Sequence, residues 1–381
     1  MKTIKNYDDP FVIFASDPGS ILNFRKELIL NLIDNGFKIH LICPEIKKIP
    51  KLVRFCNSNN INFSEIKMSR YSVNIFTEIF LIIRLFFLIK RLRPMIMFSY
   101  TIKPNLYGML VSVLLGVKNK FVLITGLGSI FRSGDLSYFK KLFFWVYRRF
   151  IIRADCIFFQ NRDDLESFKN LNFIGENQQT LIVNGSGVNL KHFPFSDLPN
   201  INKLSFLMIS RLLIDKGVIE YLDAAKHFIN SYPRITFHLL GWAEDTANSI
   251  SKKDFREISE QKNINLIDKV DDVRPVIRSS HVLVHPSYHE GMPRSVLESM
   301  SMGRPIITTN APGCRDSIID GYNGYLVNAR DSQSLIKAIA KIINTPSKLK
   351  NMSYNSRKLA EQKFDVRIVN KLIIDKIINL I

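Results

Sequence analysis

What most restricts the fold of this chain is an alternation, run through twice, of short apolar β-branched segments with longer stretches of helical periodicity. In the first half PFVIFAS, FKIHLIC, MIMFSY, FVLITG, CIFFQN and TLIVNG are separated by helical stretches such as Ile21 to Asn35 and Ile75 to Leu92. A strand that feeds a helix of that length returns to its sheet in parallel, so the pattern predicts βαβ units. Gly36 stands where the first helix should end. The pattern breaks over 191–203, a run of His, Pro, Asp and Asn without periodicity that reads as a linker. It restarts at Leu204 with LSFLMIS, ITFHLLG, HVLVHPS, PIITTN and GYLVN. The expected fold is α/β, with two doubly wound Rossmann-like domains, 1–195 and 203–363, and a helix at 364–381 packing back on the first. Such domains bind ligands at the carboxyl ends of their strands, in a cleft between them.

The 381 residues are too many for one core, which agrees with two domains. Four cysteines lie far apart, without a Cys-x-x-Cys pair, and point to a reducing compartment and no structural zinc. The polar opening and the short run Phe11 to Ala15 do not make a secretory signal. The longest apolar stretch, Ile75 to Ile89, contains Glu78 and Arg84 and is shorter than the roughly 20 residues that span a bilayer. The expectation is a cytoplasmic protein.

A formal charge of +19 attracts polyanions. Biased base composition in the encoding genome is the plain alternative for an Ile/Asn/Lys-rich chain. Basic and bulky apolar residues interleave at IIRLFFLIKRLR, Ile82 to Arg93, and at YFKKLFFWVYRRFIIR, Tyr138 to Arg153. Both segments read either as core helices with a basic outer face or as helices lying among lipid headgroups. With no zinc finger, aromatic RNA-binding signature or helix-turn-helix, nucleic acid falls behind anionic lipid as the partner.

Chemistry concentrates in VLVHPSYHEGMPRSVL, Val282 to Leu297, where a strand ends at His285 and a helix begins near Pro293. Glu290 then lies in the connecting loop, Gly291 lets backbone approach a ligand, and free amides at the helix start suit a diphosphate. Glu298 falls in the second turn of that helix. Either glutamate alone reads equally as a solvated helix face; together they suit the hydroxyls at the two ends of a nucleotide sugar.

These residues resemble the motif of glycosyltransferase family 4, the retaining GT-B enzymes: EGMPRSVLESM, Glu290 to Met300, matches its Glu-x7-Glu element. SRLLIDKG, Ser210 to Gly217, matches the family's donor-phosphate element. The resemblance implies a GT-B fold, with Glu290, Arg211 and Lys216 at the catalytic centre. It assigns Glu298 to the ribose, and Gly291, Met292, Pro293 and Arg294 to the donor sugar and phosphates. A motif-sized likeness at Asn23 to Arg25, Lys103, and Gly126 to Ser129 extends to the subgroup that builds bacterial surface polysaccharides. It implies an acceptor side near Asn23, Arg25, Lys103, Gly126 and Gly128. It further implies transfer of a sugar, N-acetylgalactosamine foremost, from a UDP-sugar to an undecaprenyl-diphosphate-linked saccharide at the inner face of the plasma membrane. No metal or other cofactor is expected, since Arg211, Lys216 and helix amides can absorb the leaving charge and Asp271-Asp272 is not an Asp-x-Asp element.

The chain departs from the family in the first loop, DPGSILNFR, which has a single glycine, Gly19. It also lacks a His after FVLIT, and Asp268 replaces a common glycine before the base-binding turn at Lys269 and Val270. Two other readings stay open: an epimerase or hydrolase of the same architecture, and a noncatalytic nucleotide-sugar-binding protein.

Overall fold

The computed structural model describes residues 7–69, 74–128, 138–229, 231–243, 248–250 and 264–381. It forms two units, residues 1–186 with 370–381, and residues 187–369. Among the described residues, no helix is long and apolar enough to cross a membrane.

The first unit holds a seven-stranded sheet of β1 (Tyr7–Phe14), β2 (Phe37–Cys43), β3 (Asn62–Glu65), β4 (Ile96–Tyr100), β5 (Asn119–Ile124), β6 (Cys156–Phe159) and β7 (Gln179–Ile182), in the order β3-β2-β1-β4-β5-β6-β7. The second unit holds β8 (Ser205–Ile209), β9 (Thr236–Leu240), β10 (Ile264–Ile267), β11 (Val282–His285), β12 (Ile306–Thr309) and β13 (Gly324–Val327), in the order β10-β9-β8-β11-β12-β13. Every pairing between these strands is parallel. Helices therefore cover both faces, which is why the central strands are apolar throughout rather than alternating. β4, β6, β11 and β12 are buried along their whole length. Phenylalanine rings fill one side of the first sheet, with Phe98 meeting Phe158 at 6.1 Å and Phe158 meeting Phe121 at 6.2 Å between centroids.

In each sheet the strand order reverses once, at β1/β4 and at β8/β11. Loops leaving adjacent strands there diverge to opposite faces and open a crevice at the carboxyl edge. Both motifs singled out in the second half leave such strands: Arg211 to Lys216 follows β8, and Glu290 follows β11.

The expected linker, 191–203, lies inside the second unit. The side chain of Arg304, 1% exposed, holds it there. Its guanidinium donates to Ser196 Oγ at 2.7 Å, to the carbonyls of Ser196, Asp197 at 3.0 Å and Ser280 at 2.8 Å, and to that of Met302. Burial lowers its pKa to about 10, against which the charge of Asp197 acts, so the group stays cationic at neutral pH. Val188 is tied to the end of the second unit through its amide to Phe364 O at 2.7 Å and its carbonyl from Val366 N at 3.0 Å. Helix Val366–Ile378 then carries the chain into the first unit, where Asn370 Nδ2 donates to Asn31 Oδ1 at 3.0 Å.

Replacing Arg304 by Ala removes five converging donors and leaves buried carbonyls without partners. We expect a loss of about 3 kcal/mol or more, read from the urea midpoint of the second unit's transition.

Candidate active site

At the switch point of the second unit two loops are pressed together. Tyr288 N donates to Asp215 O at 2.9 Å, joining the loop after β11 to the turn Ile214–Lys216 after β8. Gly217 closes that turn with φ of 75°, and a Cβ on it would stand 2.1 Å from Pro286 O. Gly313 has φ of 73°, and a Cβ there would stand 2.1 Å from Glu290 O. Any side chain at either position is excluded both by the left-handed backbone and by the contact. Glycine thus allows three loops to meet around Glu290.

Lys216 Nζ lies 2.6 Å from Glu290 Oε1, both side chains being largely buried. The same oxygen accepts from Ser287 Oγ at 3.1 Å and has His285 Nε2 at 3.3 Å. Burial pushes the Glu290 carboxyl up, but the charge of Lys216 and the approach of His285 outweigh it, so the group is held well below the usual carboxylate range. Glu290 is therefore ionised at neutral pH. Beneath the loop, Thr308 Oγ1 donates to His285 O at 2.8 Å and Thr309 Oγ1 to Ser287 O. Tyr288 OH donates to Glu220 Oε1 at 2.6 Å, and Arg330 lies 5.0 Å over the Tyr288 ring. These contacts fix the backbone on both sides of Glu290.

The helix expected to begin near Pro293 spans Arg294–Ser301, with Pro293 extended at its cap (φ −73°, ψ 117°). Proline suits the cap because it has no amide hydrogen to leave unpaired, and its carbonyl accepts from Leu297 N at 3.3 Å. Gly291 and Pro293 are buried, and Met292 packs on the core cluster around Val296 and Leu297. Glu298 occurs in the second turn, 8% exposed, and accepts from Arg294 Nε at 2.5 Å. Burial raises its pKa, and Arg294 only partly opposes this. Arg211 is half-buried in the turn that follows β8.

Sequence reasoning placed His285 beside the site but missed Ser287, Glu220 and the two threonines of β12. The signal for Ser287 was available, since it is the polar residue between a buried strand end and Glu290. At the ends of β9 and β10, Lys269 Nζ stands 4.9 Å over the ring of Trp242. Nothing in the sequence marks Trp242, because its pairing joins two separate loops.

In the first unit, Asn23 is exposed on a π-helical turn, Ile21–Arg25. Arg25 is 3% exposed, with its guanidinium 5.0 Å over the Tyr100 ring. Lys103 Nζ lies 2.6 Å from Glu78 Oε1 and donates to Ser69 O at 2.8 Å. Both cations are thus engaged with protein groups. Gly126 has φ of 114°, and a Cβ on Gly128 would strike Ile102 Cδ1 at 2.2 Å. Ser129 lies outside the described residues. Thr101, between β4 and Lys103, has φ of 70°, a strained value for a β-branched residue, and its Oγ1 is 2.9 Å from Ser16 Oγ. Among the described residues, no three His, Cys, Asp or Glu side chains converge as a metal site.

Two doubly wound units with a charged crevice at the second switch point are the GT-B architecture of sugar-transferring enzymes. Residues 192–359 match the model of glycosyl transferases group 1, and residues 12–161 match that of glycosyl transferase 4-like domains. The chain thus carries a group 1 glycosyltransferase domain and a glycosyltransferase 4-like domain, and it is a glycosyltransferase. It is 25% identical over 371 residues to an N,N'-diacetylbacillosaminyl-diphospho-undecaprenol alpha-1,3-N-acetylgalactosaminyltransferase of Campylobacter jejuni, covering 93% of this chain and 95% of that one. It is 27% identical over 373 residues to a UDP-Gal:alpha-D-GlcNAc-diphosphoundecaprenol alpha-1,3-galactosyltransferase of Escherichia coli, covering 91% and 92%. Anabaena HepE, solved in complex with UDP, superposes with a TM-score of 0.78 at 16% identity, covering 98% of this chain and all of that one.

The two glutamates should respond to pH with opposite signs. Glu290 has a depressed folded pKa, so its contribution is present above the unfolded carboxylate value and lost as pH falls below it. Glu298 has a raised folded pKa, so its contribution is present below the unfolded value and lost as pH rises through the folded one. Urea titrations across this range should show Glu290→Gln less stable than wild type at neutral pH with a flatter acid limb, and Glu298→Gln at least as stable as wild type at neutral pH.

Proposed function

We propose that this enzyme is a retaining, metal-independent glycosyltransferase that moves a sugar, N-acetylgalactosamine foremost, from a UDP-sugar to an undecaprenyl-diphosphate-linked saccharide in surface-polysaccharide or glycan assembly. The observation that carries the reading is the buried Lys216–Glu290 pair at the β8/β11 switch point, with Arg211 on the same loop after β8 as Lys216 and a helix starting at Arg294 just after Glu290. An ammonium has three donors, so Lys216 can keep Glu290 and still bond a phosphate oxygen. Arg211 offers a planar fork to the same diphosphate.

In this reading the ionised Glu290 accepts from donor sugar hydroxyls and Glu298 from those of the ribose. Gly291, Met292 and Pro293 line the sugar and the phosphates, and Arg294 orients Glu298. As the anomeric carbon–oxygen bond to the diphosphate breaks, Arg211 and Lys216 stabilise the departing charge. The acceptor hydroxyl attacks from the same face and passes its proton to the leaving phosphate oxygen. Cationic side chains and helix amides supply the charge that a divalent ion supplies elsewhere, which supports a metal-free reaction. The activities of the Campylobacter and Escherichia relatives support the lipid-linked acceptor and an α1,3 linkage, and the UDP bound to HepE supports the nucleotide. On the first unit, the loops of Asn23, Arg25, Lys103, Gly126 and Gly128 are assigned to the acceptor side. Arg25 and Lys103 act there by holding loop shape, since each is engaged by the protein. Residence on the inner face of the plasma membrane follows from the acceptor.

The test is transfer of labelled sugar from a panel of UDP-sugars to undecaprenyl-diphosphate-linked saccharides, with and without EDTA. We expect labelled lipid with an α linkage by NMR, insensitivity to EDTA, and losses of about 10²-fold or more for Arg211→Ala and Glu290→Ala. A β-linked product, or UDP release with no labelled lipid, would overturn the stereochemistry or the acceptor respectively.

A further inference from the structure

We propose that the first unit docks on an anionic bilayer surface through the outer faces of helices Ile75–Leu92 and Tyr138–Ile151. This rests on the lipid-linked acceptor reading and adds to it the face that brings the enzyme to its acceptor. Helix Ile75–Leu92 buries Leu81, Leu85 and Ile89 in the core of the unit, with Glu78 on the same side. Opposite that line, at steps of three and four residues, stand Phe76, Ile79, Phe80, Ile83 and Phe87, all exposed, Phe76 at 82% and Phe87 at 63%. A helix on a solvated surface carries polar residues on this side. Here the helix is apolar both inward and outward along about 17 Å of its axis. A contiguous apolar patch of this kind marks a surface that is covered in use.

Charge decides what covers it. Glu78 is the one acid among the 18 residues of this helix, and it turns inward to Lys103 at 2.6 Å. The outward face therefore carries only bases. Arg84 lies 4.3 Å over the Phe80 ring, and Lys90, Arg91 and Arg93 are exposed where the stripe ends. The second helix has no acid at all. It exposes Trp145 at 65% and Leu142 at 45%, with Arg148 and Arg149 exposed one turn on. Both helices pack against helix Ile102–Leu114, so their outer faces belong to one side of the unit. Aromatic and aliphatic residues flanked by arginine and lysine, with tryptophan among them, match the boundary between acyl chains and anionic headgroups. A second copy of this chain would bring the same cations together, and with +19 overall that contact is repelled.

The test uses the full-length protein and vesicles that contain no lipid-linked saccharide. Wild type should cosediment with phosphatidylglycerol–phosphatidylethanolamine vesicles, more weakly with phosphatidylcholine vesicles, and less at high salt. The combined Phe76→Ser, Phe80→Ser, Phe87→Ser variant should partition at least about tenfold more weakly while keeping its thermal midpoint and its activity on a short-chain, water-soluble acceptor. Lys90→Glu with Arg91→Glu should remove the salt-dependent part. Wild type that ignores the vesicles, or a triple variant that binds them equally, overturns the proposal. So does a dimer in analytical ultracentrifugation that the triple variant abolishes, which would give the face to a second copy. Vesicle binding that survives while no lipid-linked saccharide accepts sugar supports the docking face and sinks the acceptor reading instead.

Discussion

Parallel pairing governs this protein. Each strand must be followed by a crossover before the chain can rejoin its sheet, so every loop that leaves a strand's carboxyl end stands on the same edge. Where the order reverses between β8 and β11, the two flanking loops go to opposite faces, and nothing in the sheet fills the space between them. The site is built from what those loops carry. Their approach is closer than side chains allow, which is why Gly217 and Gly313 face carbonyls at distances a Cβ cannot occupy.

Within that crevice two carboxylates are held in different electrical states. Glu290 has Lys216, His285 and Ser287 converging on one oxygen, and remains ionised despite burial. Glu298 is as deeply enclosed but rests on the guanidinium of Arg294, and its carboxyl titrates higher than usual. A ligand hydroxyl donated to Glu298 would stabilise its charged form, so this residue gains more from a bound sugar than Glu290 does. Pocket environment, rather than residue type, separates the two roles.

The alternation of strands and helices made the fold class legible, because periodicity is a local property and parallel sheets leave an apolar mark on every strand. The spacing of EGMPRSVLESM and SRLLIDKG likewise placed Glu290, Arg211 and Lys216 on loops that leave strands, and Glu298 on the helix that follows Glu290. What stayed hidden were pairings between distant segments: Ser287 with Glu290 could be guessed from proximity, whereas Tyr288 with Glu220, Trp242 with Lys269, and Arg304 with the carbonyls of Ser196 and Asp197 could not. The helix after Glu290 starts one residue past Pro293, which satisfies a cap as well as a first turn. Lys103 illustrates the limit most sharply. Its sequence context marks a loop cation, and only the three-dimensional structure reveals the acid that neutralises it.

That acid links two parts of the first unit that the sequence presents as unrelated. Glu78 lies on a helix whose outward face is apolar and basic, and it reaches inward to the first turn of the helix that begins after Thr101. An ion pair this enclosed loses hydration on both sides, and it stays favourable only while each partner is held in place by further bonds. Ser69 O supplies one of them to Lys103, and the phenol of Tyr107, whose pKa is raised by burial and by Glu78, lies against the carboxylate. Turning the single acid inward thus removes the one negative charge from the outer face and pins the loop at the β1/β4 switch point by the same interaction. Moving the carboxylate outward would weaken both at once, so the character of the surface and the shape of the loop are not independent traits of this fold.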